Sequence, residues 1–255
     1  MELGIMQPYF FPYIGYFQLI NSVDKFIVYD LLQFTSKSWM SRNRYMVKNG
    51  EPAFFNLSMQ KKSMSMEIAD IELNHSLIWR KKLLKEFSHN YKNAPFFDEV
   101  FPIIESVLFA DVKMLTDINI LSILGICKYL EISTEIVKSG DVHRQLENSM
   151  KENKGNLARV FQHINLTEHI EKLIRIIEIC KIENAETYIN PIGGLLLYDK
   201  SEFKQNNIDL KFIQTRNISY QQFSNDFFPH LSIIDVLMHC GKEGTQKLIQ
   251  EYDFV

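Results

Sequence analysis

Three groups of residues in this chain have the types and spacing for chemistry. Near the C-terminus, Phe227-Phe228-Pro229-His230-Leu231-Ser232-Ile233-Ile234-Asp235 is a compact polar cluster. A histidine just ahead of a helix, with a hydroxyl and a carboxylate close by, is the pattern of a general base with an orienting acid. The same residues also read as a helix start, because Ser232 with Asp235 three residues on resembles a capping box. The second group is Lys37, Arg42 and Arg44 around Trp39 and Tyr45. Arginine grips phosphate bidentately and an aromatic ring stacks on a base or sugar, so this group fits an anionic ligand; a solvated basic loop is the alternative. The third is Gln7-Pro8-Tyr9-Phe10-Phe11-Pro12-Tyr13-Ile14-Gly15-Tyr16-Phe17. Pro8 and Pro12 fix φ and remove donors, so this aromatic stretch holds one shape. It suits a pocket wall or an aromatic core packed at a loop.

These residues need elements to position them. Leu3 to Met6 is a short apolar run, Ile14 to Val23 carries apolar residues at helical spacing, and Lys25 to Tyr29 is β-branched and aromatic, with Asp30 at its end. Strand, loop, helix and strand within about thirty residues open a parallel α/β unit, whose crossovers have this length. Such sheets carry their sites at the carboxyl ends of the strands, which places Gln7, Tyr9, Tyr13 and Asp30 on one rim. A second strand-then-loop pattern follows at Thr187-Tyr188-Ile189 and Asn190-Pro191-Ile192-Gly193-Gly194, a backbone suited to close approach by a ligand. Between them, residues 33–49 read as polar and basic loop, and 51–59 as a strand centred on 53–57. Residues 77–91, 96–108 and 114–130 read as amphipathic helices. Residues 141–168 are polar and weakly patterned, as in a surface excursion or helical insert. His163 and His169 close that stretch at a spacing that does not share a helix face, so no metal site is expected. A strand at 210–214 and a helix from Ser232 to Cys240 complete the chain. The fold class is α/β, a parallel-sheet Rossmann-like core with an inserted helical lobe. One domain spans 1–255, helical at about 76–131 and with an insertion at about 141–168.

The 255 residues carry a net charge of -3, which argues against a general nucleic-acid binder. Cys127, Cys180 and Cys240 form no CxxC pair, as suits buried thiols in a reducing compartment. No basic leader precedes an apolar run, and no apolar run reaches the roughly 18 residues of a membrane span. A cytoplasmic location is expected.

No Walker loop, GxGxxG, HExxH or GxSxG occurs. Where nucleotidylyltransferases of the α/β type place HxGH, this chain reads Tyr13-Ile14-Gly15-Tyr16. The glycine stays, but tyrosine cannot replace an imidazole on a triphosphate.

Met6 to Phe17, Phe26-Ile27-Val28-Tyr29-Asp30 with Gln33-Phe34, Trp39 with Arg42-Asn43-Arg44, Ala185 with Tyr188 to Gly194, and Pro229 to Asp235 together resemble the WbqC-like family. The resemblance covers the chain except about 141–168. It departs from the family pattern at Leu31, where the pattern has an acidic residue, and at Ser41, where it has asparagine. The family occurs in bacterial O-antigen and related surface-polysaccharide clusters. The resemblance therefore implies N-acyl or aminoacyl transfer to a nucleotide-linked amino sugar. His230 and Asp30 are the candidate catalytic groups, and the absent acid at Leu31 puts the weight on them. Gln7 or Asn190 would donate to the oxyanion. Arg42 and Arg44 would meet the diphosphate, with Tyr9, Tyr13, Lys37, Trp39, Asn43, Gly193 and Gly194 completing the substrate site. No resident cofactor is expected. The acyl donor would be a coenzyme A thioester or an acyl or aminoacyl carrier protein, and the partner a nucleotide-linked sugar. The alternatives are a nucleotidyltransferase-like or adenylate-forming enzyme, and a non-catalytic sugar-nucleotide-binding protein.

Overall fold

The first apolar run is strand β1 (Glu2–Met6), and the period switches from two to helical spacing after the aromatic loop, giving α1 (Ile14–Asn21) and then β2 (Lys25–Val28). The computed structural model describes the chain apart from Lys37, Asn49 and residues 161–166; the side chains of Lys61, 153–160 and 167–169 also lie outside it. Next come an antiparallel hairpin, β3 (Arg42–Met46) with β4 (Pro52–Asn56), and the short pair β5 (Met59–Lys61) and β6 (Glu72–Leu73). Helices α2 (Leu77–Tyr91), α3 (Phe97–Leu108) and α4 (Leu115–Leu130) lead to β7 (Glu135–Lys138). After α5 (Ser139–Val142), α6 (Arg144–Val160) and α7 (Thr167–Ile182) the chain returns to the sheet as β8 (Thr187–Pro191). Then follow a 3-10 turn (Ile192–Leu196), α8 (Lys200–Lys204), β9 (Asp209–Thr215), α9 (Ile233–Ile249) and β10 (Tyr252–Phe254).

The central sheet has six strands in the order β7-β2-β1-β8-β9-β10. All neighbours pair in parallel except β10, which runs antiparallel to β9 at the edge. This is the α/β, Rossmann-like core expected from the opening strand–helix–strand pattern. Side-chain alternation divides the interior between the two faces. Phe26, Val28, Ile189 and Ile213 pack with α1, α4 and α9, while Leu3, Ile5, Ile27, Tyr188 and Phe212 pack with α7. The chain order reverses between β1 and β8, so the crevice outside their carboxyl ends is the switch point where such sheets bind ligands.

One stretch differs from its reading in the sequence, and a second takes one of the two readings it allowed. Residues 42–46 form a strand rather than a basic loop. Alternation buries Asn43 and Tyr45 while Arg42 and Arg44 remain partly accessible, and the apolar partner strand β4 supplies the pairing that local charge obscured. The stretch 141–168 is helical where described, and it is not merely a surface excursion. Glu147 of α6 is buried, bonded by the Tyr29 hydroxyl and by Arg175 of α7. His163 and the His169 side chain lie outside the described residues. Cys127 and Cys180 are buried free thiols, both pushed up to about 12 by burial, and Cys240 is half-buried. Among the described residues no helix is long and apolar enough to cross a membrane.

Candidate functional site

The loop between β1 and α1 is held carbonyl by carbonyl. Tyr16 Oη donates to the Gln7 carbonyl at 2.9 Å, and Asn119 Nδ2 donates to those of Pro8 (3.3 Å) and Met40 (3.0 Å). Asn43 Nδ2 donates to the Phe10 and Phe11 carbonyls at 3.3 and 2.7 Å. Ser232 Oγ adds a second bond to Phe11 at 2.7 Å, and the Ile233 amide meets the Pro12 carbonyl at 2.8 Å. Ser122 Oγ accepts from the Phe11 amide at 3.1 Å. Buried backbone groups need such partners. Side chains and backbone from β3, α4 and the start of α9 thus fix the loop.

The clamps hold Phe11 at a φ of +41° and His230 at +57°. A bulky residue in the left-handed region is strained, and strain persists where surroundings over-determine it. His230 lines a polar–aromatic concavity at the switch point, and Phe11 lies in the loop that supplies part of its wall.

That concavity is a cavity of about 460 Å³. Tyr9, Tyr13 and Gly15 come from the first loop and helix; Trp39, Asn43 and Arg44 from β3 and its approach; Pro191 and Ile192 from the end of β8; Ile213, Gln214 and Thr215 from the end of β9; and His230 closes it. The His230 and Tyr13 rings meet edge to face with centroids 6.0 Å apart. Gly15 is needed here, because a Cβ at that position would stand 2.4 Å from the Tyr13 ring and 2.9 Å from Thr215 Oγ1. Tyr13 is the N-cap of α1 and makes no side-chain capping bond. The first turn of the helix therefore adds its dipole to the cavity floor, where it favours anions.

Arg44 Nη2 donates to the carbonyls of Pro229 (3.2 Å) and His230 (3.3 Å). Among the described residues no carboxylate pairs with it. Arg42 behaves differently, lying over the rings of Phe54 (4.7 Å) and Trp39 (5.8 Å), which stack on each other at 6.2 Å. It holds Trp39 in place and does not line the cavity. Thr215 Oγ1 donates to Gln18 Oε1 at 2.6 Å, and Gln18 Nε2 is fixed by the carbonyls of Leu248 and Glu251, each at 3.0 Å. The Thr215 hydroxyl thus keeps its lone pairs for a donor in the cavity.

Of the residues singled out by type and spacing, Tyr9, Tyr13, Trp39, Asn43, Arg44 and His230 meet at this cavity. Lys37 lies outside the described residues. Gln7, Asn190, Gly193 and Gly194 stand at the ends of β1 and β8 without lining it. Asn190 is turned inward. Its Oδ1 accepts from Tyr188 Oη at 3.0 Å, and its amide fills the space where a Cβ on Gly194 would lie at 1.7 Å. Asp30 is not brought to His230. It is fully buried, with Oδ1 accepting from the Gly140 amide at 2.8 Å, and burial raises its carboxyl above the ordinary range. Its side chain is held against Gly140 of α5 and does not line the cavity. Asp235 does not orient His230 either. It accepts from Tyr91 Oη (2.7 Å), Tyr220 Oη (2.8 Å) and Gln222 Nε2 (3.1 Å). Ser232 does cap α9, accepting from the Ile234 amide at 3.3 Å, but Asp235 supplies no reciprocal bond. Gln214 and Thr215 were not legible as site residues. Their signal was the end of a late parallel strand, which shares the rim of β1 and β8.

A family model described as the WbqC-like protein family matches residues 7–247. The chain is similar to a protein of Mycobacterium tuberculosis (strain ATCC 25618 / H37Rv) named Uncharacterized protein Rv1507c, 26% identical over 251 residues, which covers 97% of each chain. No solved structure gives a significant match.

Proposed function

The chain belongs to the WbqC-like protein family, and from that premise we propose that it transfers an acyl or aminoacyl group to the amine of a nucleotide-linked sugar, in the biosynthesis of a surface polysaccharide such as O-antigen. The observation that carries this reading is Arg44. Among the described residues it is a guanidinium without a carboxylate partner, braced by the His230 carbonyl, in an aromatic-walled cavity at the sheet's switch point. A diphosphate supplies the missing anion, with the first turn of α1 beside it. Trp39, steadied by Phe54 and Arg42, offers a face to the base.

His230 is the base in this scheme. Its backbone is fixed by Arg44, and among the described residues no hydrogen bond engages its ring nitrogens. It takes the proton of the attacking amine, while the Thr215 hydroxyl accepts from the same amine and orients it. The Gln214 side-chain amide, which makes no hydrogen bond among the described residues, would donate to the oxyanion. Asp30 supports the fold at the end of β2, and Gln7 and Asn190 stand behind the wall.

Calorimetric titration with uridine and thymidine diphosphates, followed by an acyl-transfer assay with nucleotide-linked amino sugars, tests the reading. Arg44→Ala should weaken nucleoside diphosphate binding about 10- to 100-fold, the worth of charge-assisted hydrogen bonds. His230→Ala should keep that binding and slow turnover about 10²- to 10⁴-fold. Undiminished turnover by His230→Ala would overturn the assignment of the base. Binding of nucleoside triphosphate with release of pyrophosphate would replace acyl transfer by nucleotidyl transfer.

A further inference from the structure

A second cavity of about 610 Å³ adjoins the first and shares three of its lining residues, Tyr13, Thr215 and His230. The first cavity is built on the ends of β1, β8 and β9; the second is built on the segment after β9 and the start of α9. The edge-to-face pair of Tyr13 and His230 therefore forms the wall between two compartments, and the candidate base His230 and the orienting hydroxyl of Thr215 line both.

The compartments differ in charge. The first has the guanidinium of Arg44, which among the described residues meets carbonyls but no carboxylate. The second has Arg216, but that cation is already spent, with Nε 3.0 Å from Asp253 Oδ2, Nη2 2.5 Å from Asp253 Oδ1 and Nη1 3.4 Å from Glu251 Oε2. Among its described lining residues no other lysine or arginine occurs. What it offers is apolar surface from Ile218, Phe227 and Leu231, with the amide of Asn217 and the hydroxyl of Ser219. That lining suits an uncharged chain carrying amides and is poorly suited to a phosphate.

We infer that the second cavity is the acyl-donor compartment, that it takes an acylated pantetheine arm, and that donor carbonyl and acceptor amine meet across the Tyr13–His230 wall. The inference rests on the transfer reading above and adds the place of the donor and the part of it, the pantetheine arm, that the protein holds. The step balances within the two substrates. The amine nitrogen forms a C–N bond to the thioester carbonyl carbon, and the C–S bond breaks. The thiolate leaves and receives, by way of His230, the proton lost from nitrogen. Such an arm is presented either by coenzyme A or by a carrier protein.

Acetyl-pantetheine, acetyl-coenzyme A and uridine diphosphate, titrated singly and together into the intact protein, test this. Acetyl-pantetheine should bind with uridine diphosphate already in place, without competition. Ile218→Trp, which fills the second cavity, should weaken acetyl-pantetheine at least 10-fold and leave uridine diphosphate unchanged; Arg44→Ala should do the reverse. Asn217→Trp, at an exposed position, makes the same test should Ile218→Trp lower the melting temperature. Equal affinity for acetyl-pantetheine and acetyl-coenzyme A marks a carrier-borne arm, whereas much tighter acetyl-coenzyme A marks the free cofactor; either supports the inference. Mutual exclusion of the two ligands, or acetyl-pantetheine binding that both tryptophan variants leave intact, overturns it. If acetyl-pantetheine binds and responds to these variants while no nucleoside diphosphate binds, the donor compartment stands and the nucleotide reading falls.

Discussion

At the scale of single residues, the site depends on close approach and on the pairing of its buried polar groups. Gly15→Ala places a methyl group against the Tyr13 ring and the Thr215 hydroxyl. Overpacking of this kind costs about 1–3 kcal/mol. Urea denaturation should show that loss, and nucleoside diphosphate binding should weaken because Tyr13 must turn away. A fully stable variant with normal affinity would show that the contact is not tight. Asp235 makes the complementary case. Asp235→Ala strands the hydroxyls of Tyr91 and Tyr220, while the Gln222 amide keeps the Phe228 carbonyl, and a buried donor left alone costs about 1–3 kcal/mol. A general acid–base role would instead appear as a loss of turnover in a variant of native stability. The residue types around His230 were plain in the sequence, but their pairing was not. Asp235 lies three residues past Ser232, inside α9, and its side chain points to α2 and the segment before Phe228 rather than back to the histidine.

At the scale of elements, the aromatic loop is shaped by its neighbours more than by its own prolines. Asn43→Ala removes the donor to two buried carbonyls, so it should destabilise the fold by about 1–3 kcal/mol in urea. It should also cost nucleotide affinity, whereas Trp39→Ala, at a surface ring, should cost affinity and little stability. Equal stability loss in both would argue against the clamp. A second junction joins β2, the end of α5 and the end of α7. Lys25 Nζ lies 2.7 Å from Glu183 Oε2, and His143 Nε2 lies 3.0 Å from Glu183 Oε1. Burial outweighs Glu183 and holds the His143 imidazole below its ordinary value. The native state then binds fewer protons there than the unfolded chain, so this contribution to stability is complete above about pH 6.5 and is lost as pH falls through the folded value. Burial raises the carboxyls of Asp30 and Asp235, which gives them the opposite slope. His143→Gln should therefore flatten the fall in unfolding free energy between about pH 7 and pH 5. An unchanged slope would place the proton uptake elsewhere.

At the scale of the whole molecule, the sheet order decides which loops meet. The ends of β1, β8 and β9 share one crevice because β8 pairs with β1 on the side away from β2. The hairpin β3–β4 and the start of α9 then close it, joined by the Ser232 amide on the Arg44 carbonyl at 2.9 Å. Hydrogen exchange should be slowest in β1, β2 and β8, which are covered on both faces, and faster in the edge strand β10. Uridine diphosphate should add protection at residues 9–16, 39–46 and 228–232 together. Protection confined to the α6–α7 region would move the ligand site to the helices that cover the other face of the sheet.

The sequence alone determined the opening strand–helix–strand unit, the aromatic loop between strand and helix, and the residue types His230, Arg44 and Trp39. Each of these is written in local periodicity, proline placement or side-chain chemistry. Tertiary structure alone decided that Arg42 steadies Trp39 while Arg44 faces the cavity, that Asp30 is buried away from His230, and that Gln214 and Thr215 join the wall. Those outcomes depend on the order in which strands pair and on which donors reach which carbonyls. Both are settled by contacts between residues far apart in the chain, such as Ser232 with Phe11 and Gly140 with Asp30, and such contacts leave no mark on the spacing of either segment.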